Sequence, residues 1–485
     1  RRQRQMCIRD SDCIWNINFI FNWCTDGLYD RGPASDNAMI EGLATLTFIL
    51  AHGIALLALG VFSYVPGRHL TRALAYASPW EAIAYSTTLG LGLWAMLAFF
   101  LGVVGLLNPW VVGMTVGGLQ VVCWPTWHRL GQSTQAALKA GLAAVRRKPV
   151  GWLGGILALM IILGPLGQLA LYPPTAYDAT MYHLAYAKAY ARRHQVVWTP
   201  YLRFPVFPQV NEMLFTLALL MYDDVMAHLT QFLMMLLVAV GLLAWGLRSF
   251  SMPVGLGSAA LWLGNPLVLW LGTSAYIDMG LTLFVTMALY AVHNWLDSGD
   301  GRWIGLAGVF SGLAAGSKYT ALFFIGFLGL VTAYVGFRRR RLWVPIGLMG
   351  LALAVAAPWY IRNSLYTGNP VFPFFPEVFG YGLWSPQDWQ GATRERLGHG
   401  LPRNVRSFFA LPWHLTFRPQ IFVMEAPLSK AYFYLLPVTV LLGVTHPVLR
   451  GLLGLILVYA LFWFLSGQVL RYWVCLLYTS PSPRG

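Results

Sequence analysis

Charge is what this sequence has least of. Only 11% of its 485 residues are Asp, Glu, Lys or Arg, where a soluble domain carries about 25%. A soluble chain with so little charge could not cover its surface, and a mean hydropathy of +0.58 places most of that surface in lipid. The chain also lacks the short alternating apolar segments of a membrane β-barrel, so its backbone groups are expected to pair within helices. No Walker A, HExxH or GxSxG motif is present, nor a GxGxxG in a strand–helix context, which argues against a nucleotide-driven pump or an intramembrane metalloprotease. There are five cysteines and no CxxC. Their spacing suits no metal; Cys13 and Cys24 could pair on an oxidising face, but Cys13, Cys24 and Cys123 are read as free thiols.

What is present is a succession of long apolar runs. Spans are expected at about 38–63, 83–107, 109–125, 152–172, 223–247, 253–271, 278–296, 303–317, 319–336, 342–361, 431–447 and 451–467. The fold class is therefore all-α: a polytopic integral membrane protein with roughly 11–13 transmembrane helices. The runs at 303–317 and 319–336 are short and read as a tight hairpin. Residues 1–11 (RRQRQMCIRDS) and the tail 475–485 resemble translated sequencing-adaptor read-through. They are set aside from fold reasoning, with the expectation that the natural chain is truncated at both ends. That leaves an N-terminal membrane region over 12–150, with three spans and a basic loop, and a membrane domain over 151–474.

The formal net charge of +15 does not point to nucleic acid, because the basic residues sit between the spans. His128, Arg129, Lys139, Arg146, Arg147 and Lys148 mark the 126–149 connection as cytoplasmic. Alternation then puts Arg68, Arg72, Arg248, Arg302, Arg338–Arg341 and Arg450 on the same side. Two long segments, 173–222 and 362–430, fall on the other side as extracytoplasmic loop regions. A connection of that length is more than a linker and reads as a lid or binding surface.

With only 18 acidic residues in the chain, their places carry information. Asp178 follows a span among Tyr177, Tyr182, His183 and Lys188. On a helix, Asp178 and Tyr182 share a face, while Asp178 and His183 are adjacent but not stacked. A carboxylate in such an aromatic, interfacial setting can serve as a general base, and its bland alternative is a helix N-cap. Asp278 stands at the mouth of a span, where an ionisable group needs an aqueous cavity or a partner; capping is again the alternative. Lys318, at the hairpin tip, can hold a lipid-linked phosphate or simply snorkel. Arg362 and Arg471 land on the extracytoplasmic face, against the positive-inside trend, which makes phosphate binding a candidate role beside that of ordinary interfacial arginines. Glu212 opens an apolar stretch as a helix-start acid or a substrate contact. Asp223 and Asp224 break 211–247 into a short helix and a full span.

Six motifs in order carry a resemblance: PPTAYDATMYHLAYAKAY, FPVFPQVNEMLFTLALL, SAYIDMGLTLF, GLAAGSKYTALFF, PWYIRNSLYTGNPVFPF and SGQVLRYW. Over roughly 165–473 the chain resembles bacterial GT-C membrane glycosyltransferases, similar to the dolichyl-phosphate-mannose-protein mannosyltransferase group and its aminoarabinose transferase relatives. The resemblance implies a polyprenyl-phosphate sugar as donor and inverting transfer at the periplasmic face of the bacterial inner membrane. The acceptor would be a glycan, lipid or protein. It also implies that Asp178 is the base. The family's usual Asp-Glu is Asp178-Ala179 here, which leaves a divalent metal open and makes His183 the group to take over part of the lost function. Lys318, Arg362 and Arg471 would hold the donor phosphate, with Tyr177, Tyr182, Glu212 and Asp278 lining the pocket. Two alternatives are a secondary transporter using Asp178 and Asp278 for ion coupling, and a non-catalytic membrane protein. A transporter would show repeated halves with broken helices, and the sequence shows no such repeat.

Overall fold

A computed structural model describes residues 34–132, 135, 153–154, 157, 164–202, 204–423 and 426–479. The expected span at 152–172, most of the basic 126–149 connection, Cys13, Cys24 and residues 1–11 and 480–485 lie outside these or at their edge. The chain divides into two compact units, 1–53 and 54–485. Helix α1, Ala34–Leu70, runs through the boundary, and all that follows concerns the larger unit.

Start signals in the sequence set several helices. Ser78-Pro79 opens α2 (Pro79–Val103), with Ser78 Oγ accepting from the Glu81 N–H at 3.2 Å. Asn108-Pro109 opens α3 (Pro109–Val122) in the same way, Asn108 Oδ1 accepting from Val111 N–H at 3.0 Å. Both use a polar cap followed by a proline whose missing N–H would have been unpaired anyway. There follow α4 (Leu184–Arg193), α5 (Val210–Met221), α6 (Val225–Ser249), α7 (Met252–Leu263) and α8 (Pro266–Gly272). After them come α9 (Asp278–Ser298), α10 (Arg302–Ala315), α11 (Ala321–Arg338) and α12 (Trp343–Thr367). The second loop region holds α13 (Pro386–Leu397) and single turns, before α14 (Ala431–Thr445) and α15 (Pro447–Leu465).

Among the described residues, seven helices are long and apolar enough to cross a membrane: Glu41–Leu70 of α1, together with α2, α6, α9, α11, α12 and α15. The expected span at 253–271 is the pair α7 and α8, bent by 70°. Asn265 causes the break, because its side chain caps α8 and Pro266 cannot continue α7. The spans expected at 109–125, 303–317 and 431–447 are helices of 14, 14 and 15 residues, shorter than the ~20 residues of a regular crossing. Helix α5 ends and α6 begins on either side of Asp223 and Asp224, as the sequence predicts.

Helix α9 is the axis of the unit. It is buried along nearly its whole length and packs against α6 and α10. Its first turn also meets α5, where Gly280 makes room: a Cβ there would run into the Asn211 carboxamide. Helix α12 continues six residues past the expected span end and stops at Gly368, whose φ of 74° suits glycine. Arg362, read from the sequence as the start of the loop, is therefore a buried residue of α12.

Candidate active site

The loop between residue 172 and α5 folds back on the N-terminal end of α9. Leu184 N–H bonds to Ala179 O, making Ala179–His183 a π-helical turn ahead of α4. Such i→i+5 turns are uncommon and recur at functional sites. The wider turn brings residues five apart nearer to one face, and both Asp178 and His183 meet Tyr276. The Asp178 N–H donates to the Tyr276 hydroxyl at 3.2 Å, and the His183 and Tyr276 rings lie 6.1 Å apart. The Asp178 side chain makes no capping bond. Its Oδ2 instead accepts from Arg471 Nη2 at 2.6 Å, both side chains being mostly buried.

Arg471 reaches it from the 3₁₀ segment Leu470–Thr479, which packs along α9. Gln468 anchors the approach to this segment, accepting from Leu401 N–H at 2.7 Å and donating to Leu401 O at 3.0 Å. The same segment buries Cys475, whose thiol lies 3.3 Å from the Thr282 hydroxyl.

Asp278 opens α9 without capping it, since its carboxylate accepts from Lys318 Nζ at 2.8 Å. Lys318 sits between α10 and α11, in a turn tied to the start of α5 by Val210 N–H bonding to Gly316 O at 2.8 Å. Burial is the largest influence and would lower the Lys318 ammonium, but the charge and hydrogen bond of Asp278 together with Tyr472 hold Lys318 above the usual lysine range. The lysine stays charged at any physiological pH. Its Nζ lies 4.3 Å from the centre of the Tyr472 ring, and the Arg471 guanidinium lies 5.7 Å from the same ring and 5.0 Å from Tyr276. Two cations thus flank one aromatic residue, each with a carboxylate behind it.

His183 and Glu212 form a third pair, Nδ1 to Oε1 at 2.8 Å, almost fully buried. The Tyr182 ring lies 4.3 Å from His183. Burial, reinforced by the Asp178 carboxylate, raises the Tyr182 phenol well above its usual range, so it stays a neutral donor. Tyr177 is exposed on the surface. Arg362 is not part of this group: its terminal nitrogens donate to Gln209 Oε1 at 2.7 Å and to the Tyr190 hydroxyl at 2.8 Å. The structure therefore gathers Asp178, Tyr182, His183, Glu212, Asp278, Lys318 and Arg471, and leaves Tyr177 and Arg362 at the margin. Sequence reasoning missed Tyr276, Tyr472, Gln209 and Tyr190. Tyr276 and Tyr472 stood in the motifs that carried the resemblance, but among so many aromatics nothing in the sequence singled them out. Among the described residues no three His, Cys, Asp or Glu side chains come together to hold a metal ion.

The arrangement suits chemistry at an anion: fixed carboxylates for proton transfer, fixed cations for negative charge, and bulky aromatics to exclude water. Residues 208–361 match the model of the dolichyl-phosphate-mannose-protein mannosyltransferase family. The resemblance read from the motifs is borne out over that stretch. It contains Glu212, Asp278 and Lys318 and stops one residue before Arg362, with Asp178, His183 and Arg471 outside it. Over 184 residues the chain is 29% identical to the uncharacterized protein SF2093/S2215 of Shigella flexneri, covering 36% of this chain and 82% of that one. No solved structure matches. The family match and the membrane-crossing helices point to a membrane glycosyltransferase of the GT-C type.

Proposed function

We propose that the protein transfers a sugar from a polyprenyl phosphate to an acceptor hydroxyl or amine, with inversion, on the extracytoplasmic face of a bacterial inner membrane. The acceptor oxygen or nitrogen attacks the anomeric carbon as the bond from that carbon to the phosphate oxygen breaks. The bond electrons leave with the polyprenyl phosphate, and the acceptor proton goes to Asp178. The leaving group is an anion already, so no general acid is required. The oxocarbenium-like transition state loses its positive charge as the new bond forms, as in glycoside hydrolysis. Lys318 and Arg471 stabilise the phosphate.

The observation that carries this reading is the convergence of Asp178–Arg471 and Asp278–Lys318 on Tyr472. It sets a proton acceptor beside two cations at one end of the helical bundle. The face of action is supported by the helix ends: α9 and α11 begin beside this cluster, α11 ends at Arg338, and Arg302 opens α10 just past the end of α9, as positive-inside topology requires. Arg362, held by Gln209 and Tyr190, is left out of the phosphate-binding role. Secondary transport gains one observation, the broken helix pair α7–α8, since discontinuous helices line transporter sites. The break is capped by Asn265 itself and brings no charged group of the cluster with it, which favours sugar transfer.

The test is Asp178→Asn in membrane vesicles supplied with polyprenyl-phosphate mannose. Release of polyprenyl phosphate should fall by about 10²–10⁴-fold with membrane insertion retained. Near-normal release would remove Asp178 as the base, and no release by the unaltered protein would remove the donor class.

A further inference from the structure

A polyprenyl phosphate is an anion, yet the two ion pairs of the cluster cancel. Asp178 balances Arg471, and Asp278 balances Lys318. A phosphate entering such a group must displace a carboxylate unless a further cation stands nearby. The sequence offers Arg362 for that part, and the structure commits it to Gln209 and Tyr190.

The second loop region supplies another. Arg396 stands in the last turn of α13, exposed to solvent. Its guanidinium lies 5.1 Å from the centre of the Phe374 ring, and Phe374 packs edge-on against Tyr319, the neighbour of Lys318, at 5.6 Å. The stem of the side chain lies over Gly467, where a Cβ would come within 2.9 Å of Arg396 Cγ. Partial burial lowers the guanidinium below the usual arginine range, and Tyr472 is near enough to oppose the shift. The group stays charged all the same. Among the described residues it has no carboxylate within ion-pair distance.

The chain fixes this placement. Gln468 bonds twice to Leu401, at 2.7 and 3.0 Å. Arg403 donates to Leu397 O at 3.1 Å and to Ser466 O at 2.8 Å. Leu470 N–H bonds to Val423 O at 3.1 Å. The loop after α13 is thus strapped to the stretch that carries Arg471 and Tyr472.

We infer that Arg396 is a third cation of the donor-phosphate site and supplies its net positive charge, an inference that rests on the function proposed above. It meets the phosphate before the glycosyl bond breaks as well as after, so it sets donor affinity more than rate. Lys318 and Arg471, more deeply buried, take the charge that develops on the leaving phosphate. The second loop region then brings a binding group of its own to the site.

The test follows release of polyprenyl phosphate from polyprenyl-phosphate mannose by vesicles holding the full chain, over a range of donor concentrations at low and high salt. Arg396→Ala should raise the donor KM about 10-fold and leave kcat within about twofold. The donor KM of the unaltered protein should rise with salt, and that of Arg396→Ala should rise less, because a screened charge has gone. Arg396→Lys should recover part of the affinity, since an ammonium still binds phosphate as a point charge. Arg394→Ala, which removes a cation from the same helix, should change neither KM nor its salt dependence. Should Arg396→Ala fail to insert, Gly467→Ala carries the test: it displaces the Arg396 side chain without removing charge and should raise KM in the same direction. An unaltered KM in the variant that inserts overturns the inference, as does a loss confined to kcat or an equal rise in Arg394→Ala. If the unaltered protein releases no polyprenyl phosphate, the proposed function fails, and this inference with it.

Discussion

The two ends of α9 each bury a carboxylate against a cation, and they do so differently. At the C-terminal end Glu81 of α2 is fully buried and takes Arg248 Nη1 of α6 at 3.0 Å and Asn294 Nδ2 of α9 at 2.7 Å. Ala77 N–H bonds to its other oxygen, and Arg248 goes on to Asp297 at 3.2 Å. Aromatic rings seal the region, with Tyr85 and Trp245 packed 5.2 and 5.1 Å from Tyr290. Three regular helices meet there on one saturated acid. At the N-terminal end Asp278 and Glu212 stand in the first turns of α9 and α5, and their partners come from an interhelical turn and a π-turn, while Arg471 comes from a 3₁₀ segment. The first arrangement locks helices together. The second holds Lys318, His183 and Arg471 on segments outside the regular α-helices.

That contrast breaks most visibly at Glu81. Glu81→Gln leaves Arg248 buried with half its charge partnership, and stability should fall by about 3–5 kcal/mol. Thermal unfolding in detergent checks this, and donor affinity per folded molecule should not change. Next comes Tyr472→Leu at the other end. It removes the ring between Lys318 and Arg471 and should weaken donor binding by about 0.5–2 kcal/mol, read as a rise in donor KM with stability nearly unchanged. An equal loss of stability at both ends would erase the distinction. The smallest effect belongs to a carboxylate outside both clusters. Asp388 completes a capping box with Ser385, and these hydrogen bonds hold it below the usual carboxylate range. A lowered value means that its stabilisation is present above the ordinary carboxylate pKa and is lost as pH falls through the lowered one. Helix α13 should fray in acid, seen as faster amide exchange at Trp389, while Asp388→Asn should remove that acid dependence.

The helices were legible because burial in lipid writes itself as apolar runs, and the proline-led starts at residues 79 and 109 are local signals. The break at Asn265 was not, since a single polar residue inside an apolar run reads as tolerable until its side chain is seen to cap the next helix. For the site, ionisable residues in apolar surroundings stood out one by one, and Asp178, Asp278, Lys318 and Arg471 do come together. Their pairing was not readable. Asp178 and Arg471 lie 293 residues apart, and only the packing of the 3₁₀ segment on α9 joins them. Arg362 misled because hydropathy drops at a charge whether or not the helix ends there. The π-turn was invisible because helical spacing was counted with α-helical periodicity, which sets His183 away from Asp178.

That turn also makes the direction in which Asp178 points a matter of residue count. A π-turn holds one residue more than the α-helix it interrupts, so removing Ala179 would let residues 177–193 run as a single regular helix. The helix would gain regularity. Tyr177 and Asp178 would swing by about 100° around its axis and carry the Asp178 carboxylate away from Arg471, so a chain one residue shorter here could fold well and still lose that ion pair.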